Sequence, residues 1–364
     1  MRAFSSNSND LVHRPHVPTH YRNICATRSR IALGVGALCY SCATTPAHRE
    51  GNAMLTQEML AEFEELKARH DAVVLAHYYV EPDAQDLADF VGDSYFLAQK
   101  AAALDCKTLV FAGVEFMAES AKLLSPEKRV LMPEPTADCP MAHMLRKDTV
   151  DAAREQYGDD LAVACYVNST NEMKSWSDVC VTSSNAQRIV ERLPQEHVLF
   201  VPDVHLGHYI QQQVPSKHIL FNDGFCPTHE AIEVREVEEL LAEYPDAVVC
   251  AHPECASWVL EHAHYIGSTS GIIERCVSGE EDEYVICTVY GVLHEIERRV
   301  AAAGDAGRKR FHFPRTTPIC PNMSRVTGEK VVACLRDLSG EVFVDERYAE
   351  GAKRALRRML ELAK

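Results

Sequence analysis

Cys139, Cys226 and Cys320 are the three cysteines of this chain that are followed directly by proline, and they stand 87 and 94 residues apart. Proline lacks an N–H and holds the residue before it extended, so each thiol should project from a short rigid loop. Three such thiols, converging, can hold one metal centre with a coordination position to spare. That centre would be a zinc with an open fourth site, or an iron–sulfur cluster with one iron lacking a protein ligand. Structural zinc usually takes closely spaced ligand pairs, so spacings near ninety residues fit a cluster better. An open iron is a Lewis acid beside which a hydroxy or carboxylate substrate can chelate and lose water.

Acid–base candidates lie at equivalent places along the chain. His77, Tyr166 and His252 close the apolar runs of AVVLAHYY, LAVACYVNS and AVVCAHPEC. His77 and Tyr79 are two apart in an extended segment and share a face, as do His252 and Glu254. A histidine, a phenol and a carboxylate in one pocket suit multistep proton transfer. Alone, each would be an ordinary polar group at a strand end; their recurrence argues for chemistry. Seventeen residues after each leader stand Ser94, Ser183 and Thr269, the last beside Ser268, all just before helical stretches. Hydroxyls there cap helices, and three free helix starts aimed at one centre would bind carboxylates or a phosphate. His229, three residues after Cys226, is either an ordinary surface histidine or a support for the metal centre.

A repeat must position these groups. A second apolar run (TLVFAG, HVLFVPD, YVICT) brings Gly113, Asp203 and Thr288 at offsets of 36, 37 and 36 from the leaders. A third (RVLMP, HILF, RFHF) precedes each cysteine loop. Such periodicity implies three copies of one unit. Stretches of helical period, LAQKAAALD, AQRIVERL and SWVLEHA, alternate with the runs, which predicts βαβ units with buried parallel sheets. Parallel crossovers are right-handed and ligands collect beyond the carboxyl ends of the strands. The expectation is an α/β fold of three αβα-sandwich domains about a pseudo-threefold axis, with short parallel sheets around a central cluster. Its boundaries fall at 54–145, 146–232 and 233–325, and residues 326–364 form a helix, a strand at Val342 to Val344 and a helix packing back on the first domain.

The chain of 364 residues is 46% hydrophobic and carries a net charge of −16, enough apolar content for a large core and a poor match to nucleic acid or an anionic membrane. Its fourteen cysteines lack short regular spacing, which points to reduced thiols in a cytoplasmic setting. Cys106, Cys165, Cys180, Cys250, Cys255, Cys276, Cys287 and Cys334 mostly lie in apolar or helical runs and read as small buried hydrophobes. Residues 1–53 differ: six arginines against Asp10 and Glu50, with an apolar run, Ile31 to Cys42, too short to span a bilayer. They read as an extension, either a targeting segment or an over-extended start with Met54 as initiator. Cys39 and Cys42 form a lone C-x-x-C within it.

AHYY, DLADFVGDSYFLA, FMAESAKLLSP, YVNST, SDVCVTSSNA, PDVHLGHY, GFCPTH, HPEC, IGSTSGII and the C-x-N-M at Cys320 together resemble the quinolinate synthase (NadA) family of NAD biosynthesis, from about Leu55 onward. The resemblance implies a 4Fe-4S cluster on Cys139, Cys226 and Cys320. It implies condensation of iminoaspartate with dihydroxyacetone phosphate to quinolinate, with loss of phosphate and two waters, and a functional link to an enzyme supplying iminoaspartate. It implies His77, Tyr79 and Glu254 as the acid–base set, with Ser94, Tyr166, Asn168, Ser183, His252, Ser268 and Thr269 binding substrate. Glu115, Val204, His208 and Val289 depart from the family's pattern. Two other readings stand beside it: a non-catalytic iron–sulfur or zinc sensor, and a hydro-lyase acting on another small dicarboxylate.

Overall fold

The computed structural model describes residues 55–316 and 318–364; the expectations for residues 1–53, including Cys39 and Cys42, lie outside the described residues. Helix α1 (Gln57–His70) starts at Thr56, whose hydroxyl accepts the Met59 N–H at 3.2 Å. It buries Phe63 and Leu66 and stops at Asp71 in the left-handed region (φ 46°). Three all-parallel four-stranded sheets follow, each with the same strand order. In the first, β1 (Ala72–His77), β2 (Phe90–Gly92), β3 (Thr108–Ala112) and β4 (Arg129–Leu131) are arranged β2-β1-β3-β4. The second, β5 (Leu161–Tyr166), β6 (Val179–Val181), β7 (His197–Val201) and β8 (His218–Phe221), runs β6-β5-β7-β8. The third, β9 (Val248–Ala251), β10 (Tyr265–Ile266), β11 (Glu283–Cys287) and β12 (Arg310–His312), runs β10-β9-β11-β12. The leader strands are almost wholly buried, as expected for sheets covered on both faces.

The 17-residue spacing now has a structural origin. Each leader strand is followed by a short helix, α2 (Pro82–Asp86), α6 (Asn171–Ser175) or α11 (Ser257–Leu260), and then by the edge strand β2, β6 or β10. The longer helices α3 (Ser94–Ala103), α7 (Ala186–Arg192) and α12 (Thr269–Ser278) come next. The edge strands, two or three residues long, are too short for a period to register and escaped the sequence reading. SWVLEHA, read as a helix, forms only the single turn of α11, and the long helix of that unit is α12. Helices α4 (Glu115–Leu124), α8 (Val204–Gln213) and α13 (Val292–Ala302) lead to the fourth strand of each sheet; α5 (Lys147–Tyr157) and α10 (Val234–Glu243) connect one sheet to the next. Each cysteine loop opens a short helical turn, the second being α9 (Pro227–Glu230).

After the third cysteine, α14 (Gly328–Asp337) packs on α1 and α2, and α15 (Glu346–Leu362) lies against α6, β6 and α4, touching the second unit as well as the first. Between them the anticipated strand at 342–344 is reduced to one antiparallel bridge, Leu131 to Glu341. Gly340 (φ 70°) makes that turn; its carbonyl accepts the Met132 N–H at 2.9 Å, and a Cβ there would approach the Met132 carbonyl to 2.2 Å.

Where α4 meets α6, Lys174 is fully buried and donates to Ser120 Oγ at 3.0 Å. Burial pushes the nearby Glu119 carboxyl up to about 7, with Lys174 opposing. A carboxyl that is more basic folded than unfolded stabilises fully below its unfolded pKa, and the contribution is lost as pH rises through the folded value. Glu119→Gln should therefore gain on the parent by about 1–3 kcal/mol between pH ~5 and ~8, read from urea midpoints at both pH values.

Candidate active site

The carboxyl ends of the strands carry the chemistry, and two of them repeat one local arrangement. His77 Nδ1 accepts the backbone N–H of Tyr79 at 3.2 Å, and His252 Nδ1 accepts that of Glu254 at 3.3 Å. In the neutral ring an accepting Nδ1 puts the proton on Nε2. His252 Nε2 then donates to Ser183 Oγ at 3.2 Å. Burial drives both imidazoles down to about 3 although the Glu254 charge opposes it, so both are neutral at physiological pH.

Glu254, 3% exposed, anchors a buried network. Tyr166 Oη donates to Glu254 Oε1, and His229 Nδ1 lies 2.9 Å from Glu254 Oε2. Burial pushes this carboxyl up, but the imidazoles of His252 and His229 and the hydrogen bonds from His229 and Tyr166 outweigh it and hold it below the usual carboxylate range. Burial, then the charge of Glu254, raises the phenols of Tyr79 and Tyr166, so both keep their protons. Tyr79 Oη is 2.8 Å from Thr269 Oγ1 and 2.8 Å from Thr288 Oγ1, and Thr288 Oγ1 is 2.9 Å from His229 Nε2. A continuous hydrogen-bonded chain thus runs Thr269, Tyr79, Thr288, His229, Glu254, Tyr166. All three sheets contribute to it. His229, 1% exposed, stacks on His252 with centroids 4.8 Å apart and places Nδ1 3.2 Å from Cys226 Sγ.

Cys139, Cys226 and Cys320 are free thiols that lie close enough to influence one another electrostatically. Burial pushes all three up; Cys320 then adds to Cys139, and Glu254 followed by Cys139 adds to Cys226. Bare thiolates are unfavourable in such a place, whereas thiolates sharing a cationic iron–sulfur centre are not. The donor set therefore fits that cofactor.

The remaining candidates divide. Asn168 Oδ1 is buried without a hydrogen-bond partner, an acceptor awaiting a donor. Ser268 caps α12, its hydroxyl accepting the Gly271 N–H at 3.3 Å. Ser94 does not cap α3; Asp93 does, accepting from Phe96 N at 3.0 Å and from Ser270 Oγ at 2.7 Å. At α7 the cap position falls to Asn185, whose side chain accepts the Thr182 N–H at 2.7 Å and makes no capping bond, and Ser183 meets His252. Ser94 enters none of the hydrogen bonds of the network among the described residues. Of the divergent positions, His208 stacks on Phe221 (4.0 Å) and lines, with His205, Tyr209, Trp258 and Cys255, a cleft of about 440 Å³ beside the site.

Two residues given no role from sequence belong to the site. Thr288 joins Tyr79 to His229, and Asp203 binds the second cysteine loop to α8. Both stand at the 36- or 37-residue offset, so the repeat itself marked them. Asp203 is fully buried; Oδ1 accepts the Leu206 N–H at 2.7 Å and Oδ2 the Cys226 N–H at 3.2 Å. Asp203→Ala should lower stability by about 1–3 kcal/mol in urea unfolding and reduce the iron retained per chain through gel filtration.

Comparison with known proteins identifies the family. A family model described as quinolinate synthetase A protein, NadA, matches residues 61–361. A quinolinate synthase from Fusobacterium nucleatum is 45% identical over 305 residues, covering 84% of this chain and 99% of that protein. One from Caldicellulosiruptor saccharolyticus is 40% identical over 307 residues (84% and 99%), and one from Aquifex aeolicus 39% identical over 312 (84% and 95%). The family model and these relatives show that this chain belongs to the quinolinate synthase family.

Proposed function

We propose that the chain condenses iminoaspartate with dihydroxyacetone phosphate to form quinolinate, releasing phosphate and two waters, with a 4Fe-4S cluster on Cys139, Cys226 and Cys320. The observation that carries this reading is the proton-bearing chain from Tyr79 to Tyr166, passing beside Cys226. Making a pyridine ring from these two precursors requires protons to leave carbon and nitrogen and to reach departing oxygens, in several steps. Glu254 is ionised and Tyr166 and Tyr79 keep their protons, so the chain holds both a proton acceptor and proton donors. Thr288 and His229 link the two ends, so a proton accepted at one is recoverable at the other.

Neutral His77 offers an Nε2–H that orients a substrate carboxylate without adding charge, and neutral His252 positions the Ser183 hydroxyl beside it. Asn168 Oδ1 accepts a substrate N–H or O–H, and the start of α12 with Ser268 and Thr269 receives an anionic group. When bound, the cluster supplies one iron without a protein ligand, a Lewis acid for the loss of hydroxyl as water. A sensor has no use for this acid–base set, and a hydro-lyase acting on another dicarboxylate makes no quinolinate.

Among the described residues no helix is long and apolar enough to cross a membrane. The reading places the enzyme in the cytoplasm, with a functional link to another that makes iminoaspartate. The test is the full chain, reconstituted anaerobically, mixed with iminoaspartate and dihydroxyacetone phosphate, and assayed for quinolinate by chromatography. Formation that depends on both substrates is expected. A fully loaded protein that makes none overturns the reading.

A further inference from the structure

We propose that Cys226, His229 and Glu254 form a second, mononuclear metal site, for one divalent cation of the zinc type, which is open when the iron–sulfur centre is absent and whose occupation blocks assembly of that centre. One ligand atom from each residue lies within 4.8 Å of the other two. Sγ of Cys226 is 3.2 Å from Nδ1 of His229, and that nitrogen is 2.9 Å from Oε2 of Glu254. Tetrahedral zinc bonded at about 2.0–2.3 Å holds its donors about 3.3–3.6 Å apart, so closure on a cation needs shifts of a few tenths of an ångström at these two pairs and at most about an ångström between Sγ and the carboxylate. Thiolate, imidazole and carboxylate together select a borderline cation over calcium or magnesium.

The supports of such a site are already in place. His229 Nε2, at 2.9 Å from Thr288 Oγ1, can donate there and leave the Nδ1 lone pair facing the cation. Glu254 Oε1 is held by Tyr166, which leaves Oε2 as the ligand atom. His252 Nδ1 is engaged by the Glu254 N–H and is not a fourth ligand. Three protein ligands leave one position for water. Because Cys226 serves both centres, zinc and the cluster exclude one another.

The test uses the full chain purified without iron and titrated anaerobically with cobalt(II), a spectroscopic stand-in for zinc, then with zinc in competition. One equivalent is expected to bind with a thiolate-to-cobalt charge-transfer band. The double variant Cys139→Ser, Cys320→Ser should keep that equivalent and that band, since all three proposed ligands remain. His229→Gln, Glu254→Gln and Thr288→Val, each checked by circular dichroism, should each weaken binding at least about tenfold. Chain preloaded with zinc should take up less iron and sulfide until a chelator is added. Loss of the cobalt band in the double serine variant, or unchanged affinity in both His229→Gln and Glu254→Gln, would put the metal on the three thiols and overturn the proposal. Absence of any stoichiometric cobalt binding to the folded parent would overturn it equally. None of these readouts involves quinolinate, so the outcome is separate from that of the proposed reaction.

Discussion

Glu254→Gln is expected to lower quinolinate formation by about 10²–10⁴-fold while iron per chain stays near that of the parent. The substitution keeps the shape of the side chain and an oxygen for Tyr166 to bond, and it removes only the negative charge and the ability to take a proton. Glu254 lies below the usual carboxylate range, so the parent's carboxylate is charged throughout the neutral region. The sign follows directly: a depressed carboxyl pKa means that ionisation is complete well below the assay pH. The ratio of parent to variant rates should therefore be the same at pH ~6 and ~8. Two measurements check this, initial rates of quinolinate release at both pH values and iron by mass spectrometry. A variant within threefold of the parent, with matching iron, would remove Glu254 from proton transfer.

Cys226→Ser is the second large effect, expected to leave less than about a tenth of the parental iron and no measurable turnover. A serine hydroxyl is far less readily deprotonated than a thiol and a harder donor, poorly matched to iron–sulfur ligation. The other two thiols alone would have to hold the whole centre. Cys255→Ser provides the contrast, because Cys255 is buried and its thiol donates to the Cys287 carbonyl at 3.2 Å. That bond is within a hydroxyl's capacity, so this variant should keep its iron. Equal iron in the two serine variants would refute the assignment of Cys226.

The parts of the site legible in the sequence are those fixed by the repeat. A parallel strand delivers its last residues to one edge of its sheet, so three similar segments present His77, Tyr166 and His252 equivalently, with hydroxyls seventeen residues on. The two-residue alternation that pairs His77 with Tyr79 and His252 with Glu254 needed only the geometry of extended chain. What escaped depends on contacts between units. Nothing local reveals that Thr288 joins Tyr79 to His229, 209 and 59 residues away in sequence. Capping was misassigned for a simpler reason: aspartate competes with serine for the same position and Asp93 caps α3, while at α7 the position falls to Asn185 with no side-chain capping bond. Helix α15 showed an amphipathic pattern, which fixes the face that is buried and leaves the neighbour open. That neighbour includes α6 and β6 as well as α4.

The thiols proposed to hold the cluster come from loops that follow the last strand of each of three successive sheets. A chain still emerging from the ribosome therefore has no complete binding site until residue 320 has left the exit tunnel, by which time the first two sheets have had the opportunity to form. On the proposed ligand assignment, loading with iron and sulfide follows synthesis. A newly made molecule passes through an interval in which Cys139 and Cys226 wait without their third companion, open to stray metals and oxidants.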